Sequence, residues 1–382
     1  MNSDKIQQFL ENYITEYSSF LGAIQGLILA VIVLFYPERY KVSNRLLSIF
    51  LLFFAHLLIA TRITEAVSSD LIFLIYGFRF FANIALLFFI KSLYQNIEWK
   101  KQGGHLLVIL LDTLVIYNRV SGSPFFLEGI QLEVFTVAWY FLISFFYLFL
   151  VIRAYQEYRQ KVYRNFSSLN NIGLKFVYQI ILFIALLILI DLVYAFVYFG
   201  FSGRTSTYHR VIKTLVSTVF MYFIAIKGKL TPQIYQLQKI VEVSDASEGS
   251  PVGDNTRDGT SDEIQSVAKR VVFLMEKDKF FKGENVSIKD VAENIDERPY
   301  IVSQAINSCL GKNFFDLINN YRVEEAKILM HEGRLSHLSL LGIAFEAGFT
   351  SKTAFNTAFK KHTGLTPSQY KKSQAFQIQV DS

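Results

Sequence analysis

The first 229 residues are filled by a succession of apolar runs, most of them close to twenty residues long, and this feature restricts the fold more than any other. A helix needs about 20 apolar residues to cross the hydrocarbon core of a bilayer, where each backbone polar group must be satisfied within the segment. Such runs lie near 18–36, 45–63, 71–93, 105–120, 133–152, 176–200 and 211–226. The fourth, HLLVILLDTLVIYNRV, is short and carries Asp112 at its centre. Composition points to lipid as part of the solvent. Of 382 residues 52% are hydrophobic, 37 are Phe and only 18% carry charge, more apolar bulk than one water-soluble core takes up. The first run lacks a basic leader and a small-residue cleavage site, so it reads as a span and not as a secretory signal.

Lysine and arginine set the orientation, because cytoplasmic loops retain them. One set of connections holds Arg39, Lys41, Arg45, Lys91, Lys100 and Lys101, then Arg153, Arg159, Lys161, Arg164 and Lys175, and finally Lys227 and Lys229. The opposite set holds Lys5, Arg62, Arg119, Arg204 and Arg210, with Lys213 at a span edge. That bias places the N-terminus outside and the C-terminus in the cytoplasm, which requires an odd number of spans. Omitting the fourth would strand the basic 153–175 loop outside, so seven is the consistent count. The expected location is the cytoplasmic (inner) membrane, multi-pass, with lipid as a partner.

Beyond the last run, Thr231 and Pro232 open a segment in which Leu230, Ile234, Leu237 and Val241 form an apolar seam of about two heptads. The seam suits either a homodimer contact or a helix lying on the membrane surface. Residues 244–262, SDASEGSPVGDNTRDGTSD, have almost nothing to bury and read as a disordered linker. From Glu263 the composition becomes that of a water-soluble helical domain. The run IQSVAKRVVFLMEKDKFF keeps helical spacing through Ile264, Val267, Val271 and Leu274, and Gly283 ends it. Ser287 caps SIKDVAENI with Asp290 three residues on, Pro299 opens a helix that stops at Gly311, and a long helix covers about 314–331. A short helix over LSLLGIAFEAGF, a second over TSKTAFNTAFKKH and a last one over TPSQYKK complete the domain.

The last third therefore contains helix, tight turn and helix twice, joined by one long helix. A helix-turn-helix needs a small residue at the turn so that its second helix can project into a groove. Gly348 fills that place in the second copy, flanked by Ala344 and Phe349, whereas the first turn, IDERP, has no glycine. The strings VAENIDERPYIVSQAINSCLGKNFFDLINNYRVEEAKILM and IAFEAGFTSKTAFNTAFKKHTGLTPSQYKK resemble the AraC/XylS family of transcription regulators, which carry two such motifs in tandem. The resemblance covers about the last 110 residues and departs from the family pattern at Arg298, where a small capping residue is usual. It implies that the helix over 299–310 presents Tyr300, Ser303, Gln304 and Asn307 to base edges. The helix over 351–361 would present Ser351, Lys352, Thr353 and Asn356, and Lys360, Lys361, Lys371 and Lys372 would neutralise phosphates. The partners it implies are double-stranded DNA and RNA polymerase. Charge agrees independently, since no acidic residue lies between Glu346 and Asp381 while Lys recurs.

The overall expectation is an all-α chain: a polytopic transmembrane helix bundle over 1–229, a juxtamembrane helix and linker over 230–262, and a soluble domain with two helix-turn-helix motifs over 263–375. Its function is that of a membrane-tethered, sequence-specific transcription regulator whose membrane part senses or anchors. The alternative is a transporter or receptor-like protein with an accessory DNA-binding domain, but the spans carry no repeat or broken-helix signature for it. Nothing suggests catalysis or a cofactor, and His331, His337 and His362 lack metal-ligand spacing. Phe355 and Phe359 read as core, and Cys309 as a small buried hydrophobe. His56, Arg79, Asp112 and Asp191 stand at membrane depth, where a charge costs at least ~2.5 kcal/mol on insertion scales. Three readings stay open for them: an Arg79–carboxylate pair that holds the bundle, a cavity for a small-molecule or membrane-borne signal, or snorkelling to the interface.

Overall fold

The computed structural model describes residues 15–35, 41–66, 80–120, 129–167, 173–199, 207–229, 261–283, 285–331 and 338–380. Arg79, the 230–243 seam, most of the 244–262 linker and His337 lie outside them. Among the described residues the chain is all-α, with fourteen α-helices and no strand. It divides into two compact units, Met1–Tyr158 with Leu174–Pro232, and Arg159–Gly173 with Gln233–Ser382.

The described part of each apolar run contains a helix: α1 (Thr15–Leu34), α2 (Lys41–Ala66), α3 (Phe81–Ser92), α4 (Gly103–Val120), α5 (Gly129–Asn165), α6 (Leu174–Val197) and α7 (Thr207–Lys229). Among the described residues three stretches are long and apolar enough to cross a membrane: Val42–Ile59, Gln131–Asn165 and Leu174–Val197. Ser19–Leu34, Phe81–Ser92 and Ile212–Ile224 are shorter apolar helical stretches. The first unit turns apolar side chains outward, with Phe196 73% and Leu110 and Val219 each 67% exposed. Several polar groups lie inside, among them Ser43, Ser48, Asp112 and Ser217. Ser48 Oγ donates to Ala30 O at 2.8 Å and Ser92 Oγ to Ser43 Oγ at 2.8 Å, bonds of the kind that join helices without help from water. Gly22 and Gly26 let α1 close on its neighbours. A Cβ at Gly22 would stand 2.7 Å from Thr218 Oγ1, and one at Gly26 would stand 2.7 Å from Ala55 Cβ.

The second unit is built around α11 (Phe314–His331). Before it come α8 (Ser261–Glu276), α9 (Ile288–Asn294) and α10 (Pro299–Cys309), and after it α12 (Leu340–Glu346), α13 (Lys352–Thr363) and α14 (Pro367–Val380). The stripe Val267, Val271 and Leu274 on α8 packs with Val291, Val302 and Ile306, and with Leu317 and Ile318 from the start of α11. One turn further on, Val323 and Ala326 of α11 belong to a second core with Ala344, Phe355 and Phe359. Phe355 and Phe359 meet edge to face at 5.4 Å, a core contact as their spacing suggests.

Several local details differ from expectation. Helix α8 takes in Ser261 and Asp262 and stops at Glu276, so Gly283 does not end it. Lys279 adopts φ 47°, and a 3₁₀ turn over Phe280–Lys282 folds Phe281 back against Tyr321 before Gly283. Cys309 is exposed, because the last residue of α10 lies past the edge of the core that buries Ile301, Val302, Ala305 and Ile306. The final helix runs on to Val380.

Candidate nucleic-acid interface

The two helix-turn-helix copies start alike. Ser287 Oγ accepts from Asp290 N at 3.3 Å while Ser287 N donates to Asp290 Oδ2 at 2.7 Å, and Ser339 Oγ accepts from Gly342 N at 3.1 Å. Their turns differ. Helix α9 ends at Asn294 and α10 is capped by Arg298, whereas α12 ends at Glu346 and α13 is capped by Ser351, one residue later. The left-handed position is Asp296 (φ 48°) in the first turn and Gly348 (φ 92°) in the second. Arg298 makes no side-chain cap bond, and Pro299 at the first helical position supplies the start instead.

Counting from the caps puts Tyr300 in the place of Thr353, Ser303 of Asn356, Gln304 of Thr357 and Asn307 of Lys360. Tyr300 and Asn307 are exposed on α10, with Ser303 and Gln304 half-buried beside them. Asn307 Nδ2 already donates to Ser303 O at 2.7 Å, which leaves its carbonyl oxygen for an outside donor. On α13, Lys352, Thr353 and Asn356 are exposed. Ser351 is only half-exposed, and its oxygen accepts from Ala354 N at 3.2 Å, so its first role is to cap the helix. Exposed Thr357 was not singled out by sequence reasoning. Aligning the caps Arg298 and Ser351, which differ in residue type, is the signal that identifies it.

The four lysines are not equivalent. Lys360, Lys371 and Lys372 are exposed and make no ion pair among the described residues, whereas Lys361 Nζ lies 2.6 Å from Asp316 Oδ1 on α11. Lys360, Lys361 and His362 occupy the last turn of α13, where positive charge complements the helix dipole. The His362 ring is lowered from the ordinary histidine value, chiefly by burial, and its Nε2 is buried with no hydrogen-bond partner among the described residues.

The two copies are held together through α11. Arg322 is 1% exposed; its Nε donates to Phe281 O at 2.8 Å and its Nη2 to Gly283 O at 2.9 Å. Its guanidinium also lies 5.9 Å from the centre of the Phe349 ring. Burial brings Arg322 down to about 10, still cationic near neutral pH. One turn on, Glu325 takes Lys279 at 2.9 Å and Lys282 at 2.7 Å. Burial alone would raise its carboxyl, but hydrogen bonds from Lys282 and Lys279 outweigh that and hold it below the usual carboxylate value.

Of the titratable groups that the sequence sets within the apolar runs, His56, Asp112 and Asp191 lie in the first unit. Asp112 is fully buried and His56 half-buried. Asp191 on α6 lies 2.7 Å from Lys213 Nζ of α7 and accepts from Tyr140 Oη of α5 at 2.8 Å. The cation paired with Asp191 is thus Lys213, a residue noted in the sequence only as sitting at a span edge. Among the described residues no group of His, Cys, Asp or Glu is assembled to hold a metal ion.

Comparison with known proteins agrees with this geometry. Residues 298–373 match the family described as "Helix-turn-helix domain". The chain is 25% identical over 157 residues to an "uncharacterized HTH-type transcriptional regulator in cgkA 5'region" of Pseudoalteromonas carrageenovora, an overlap of 41% of this chain and 90% of that protein. No solved structure matches the chain. The C-terminal part of the chain is a helix-turn-helix domain.

Proposed function

We propose that the protein is a sequence-specific, DNA-binding transcription regulator of the AraC type, tethered to the cytoplasmic membrane. The observation that carries this reading is the pair of helix-turn-helix copies on one helix, each turning a polar face outward. Tyr300, Ser303, Gln304 and Asn307 from α10, with Lys352, Thr353, Asn356 and Thr357 from α13, offer the amides, hydroxyls and ammonium that read base edges. Lys360, Lys371 and Lys372 neutralise phosphates, with Lys361 a lesser contributor because Asp316 already holds it. The bearing of the relative from Pseudoalteromonas carrageenovora is that a protein described as an HTH-type transcriptional regulator is similar to 157 residues of the chain.

For the N-terminal part, the reading is seven crossings with the N-terminus outside and the C-terminus in the cytoplasm. Three supports bear on it: the apolar outward faces of the first unit, the three helices long and apolar enough to cross, and the loop asymmetry of Lys and Arg. The membrane part senses or anchors, with Asp112 and the Asp191–Lys213 pair as its candidate signal-responsive groups. Reporter fusions provide the test. Fusions after Lys101, Lys161 and Lys229 should report cytoplasm and one after Arg119 should report the outside; a cytoplasmic signal at Arg119 would remove the fourth crossing. Footprinting of the upstream region of its own gene and its neighbours should find protected sites, and their absence at every salt concentration would defeat the DNA-binding assignment.

A further inference from the structure

Within the second unit, the segment starting at Arg159 is fastened to the helix-turn-helix domain. Ser167 N and Oγ both donate to Val286 O, at 3.0 and 2.6 Å, and Asn319 Nδ2 reaches Ser167 O at 3.4 Å. Phe166 forms an antiparallel bridge with Ser287, the residue that caps α9, and the Tyr163 ring meets Phe315 of α11 edge-on at 5.0 Å. Phe166 and Ser167 are 7% and 1% exposed, so the fastening is a buried one. Tyr163 and Arg164 then line one groove of about 730 Å³ together with Asn307, Thr353, Thr357 and Lys361. These last four come from the two reading helices.

A helix with its side chains is about 10–12 Å across, roughly the width of the major groove into which a reading helix must itself fit. Base edges would have to come within about 3 Å of Asn307 and Thr353 to bond them. A duplex seated there therefore meets the helical turns of Arg159–Arg164 in the same space. We propose that residues 159–167 form an autoinhibitory strap: docked, they keep duplex DNA from the reading side chains, and binding requires their release. The inference rests on the DNA-binding reading above. Its sign is set by the shared groove: Asn307 and Thr353 stay exposed to solvent beside the docked segment, but Tyr163 and Arg164 line the space that a duplex contacting both would have to enter.

The test uses the full chain in lipid nanodiscs with a random-sequence duplex at low salt as the probe. Bridge partners in an antiparallel pair have Cα atoms about 4.5–5.5 Å apart, inside the disulfide range of about 4.4–6.8 Å. In a Cys309→Ser background, Phe166→Cys with Ser287→Cys should therefore oxidise to a disulfide. The oxidised form should bind the duplex at least tenfold more weakly than the reduced form. Tyr163→Asp should bind more tightly than the parent, by about tenfold if the strap is docked nine-tenths of the time, while Tyr163→Phe keeps the ring contact and should match the parent. Failure of the disulfide to form, equal binding by the oxidised and reduced forms, or weaker binding by Tyr163→Asp would each overturn the strap. If no form, reduced or released, binds any duplex, the DNA-binding reading falls and takes the strap with it.

Discussion

Gly348 is where the second helix-turn-helix rests on the first, and replacing it with alanine measures what that contact is worth. Its φ of 92° is one that L side chains rarely adopt. A Cβ there would stand 2.8 Å from Lys282 Cα, 2.9 Å from Phe281 O and 3.1 Å from Arg322 Nε. Two of those atoms are backbone and the third is clamped by its own bond to Phe281 O, so none can swing aside. The left-handed backbone costs an L-residue about 1–2 kcal/mol, and overpacking a closed contact adds about 1–3 kcal/mol. Gly348→Ala should therefore destabilise the domain by about 2–5 kcal/mol, summing the same two terms. Gly364 supplies the control, because it has φ 77° and nothing within 4 Å of the added Cβ. Gly364→Ala should cost only the backbone term, about 1–2 kcal/mol. The assay is urea unfolding of a fragment covering 255–382, which holds both cores and should fold alone. Equal losses for the two substitutions would mean that the close approach at Gly348 contributes nothing, and the coupling described for this contact would be wrong.

Salt dependence separates the lysines: Lys360→Ala should flatten the slope of log affinity against log salt by about 0.9, whereas Lys361→Ala, already paired with Asp316, should change it far less. Equal slopes for the two variants would mean that DNA takes Lys361 from Asp316. His362 predicts a pH effect whose sign follows from its lowered value. The unfolded chain binds a proton near the ordinary histidine value and the folded one does not, so stability is full above that value and falls as pH drops through it. Denaturation midpoints measured across that range should show the loss, and His362→Gln should abolish it; a variant with the parent's pH profile would clear His362. On the sequence expectation for 244–262, lengthening it with a few Gly-Ser repeats should leave the transcriptional response of a reporter nearly unchanged, because a Ser-, Asp- and Gly-rich sequence would convey proximity and not rotation. A response lost on a small insertion would require rigid coupling instead.

How much of this was legible in the sequence depends on the range of the forces involved. Helices show in a periodicity of 3.6 and in caps that act within four residues; Ser287 was legible as a cap, whereas Ser351 was read as a base contact and is a cap as well. The exit of the chain at Glu276 was not legible. Phe280 and Phe281 continue the apolar spacing of α8, and what turns them out is Arg322, forty-one residues further on, which needs the Phe281 carbonyl. The same limit hid the partner of Asp191, since a pairing between two helices leaves no local trace, and Lys213 had been noted only as lying at a span edge. Lys361 and Asp316, forty-five positions apart, are a third case. Cys309 misled in the other direction: its helical phase is apolar, but phase says nothing about where a core ends. Thr357 could have been found by aligning Arg298 with Ser351, which would have exposed the extra residue in the second turn.

On the DNA-binding reading proposed above, the two helices are useful only if their spacing is fixed, because tandem motifs on one chain would meet two major-groove faces about one helical turn apart. Helix α11 sets that distance, yet a single helix with one lobe at each end could still let the lobes rotate. Arg322 and Gly348 remove this freedom by meeting at one point. The guanidinium bonds carbonyls of the turn that belongs to the first lobe and lies against Phe349 of the second, and Gly348 lets that second lobe sit on the same turn. A guanidinium so deeply buried is costly to desolvate, and it keeps its charge here because fixed carbonyls face it. Glu325 repeats the arrangement one turn later, drawing Lys279 and Lys282 from that same turn onto α11. The 3₁₀ turn at Phe280–Lys282 is therefore the bearing on which both lobes rest. The strap fastens immediately downstream of it, at Val286 and Ser287. Docking and release of residues 159–167 thus act at the entry to the first reading motif, next to the one place where a shift would be felt by both.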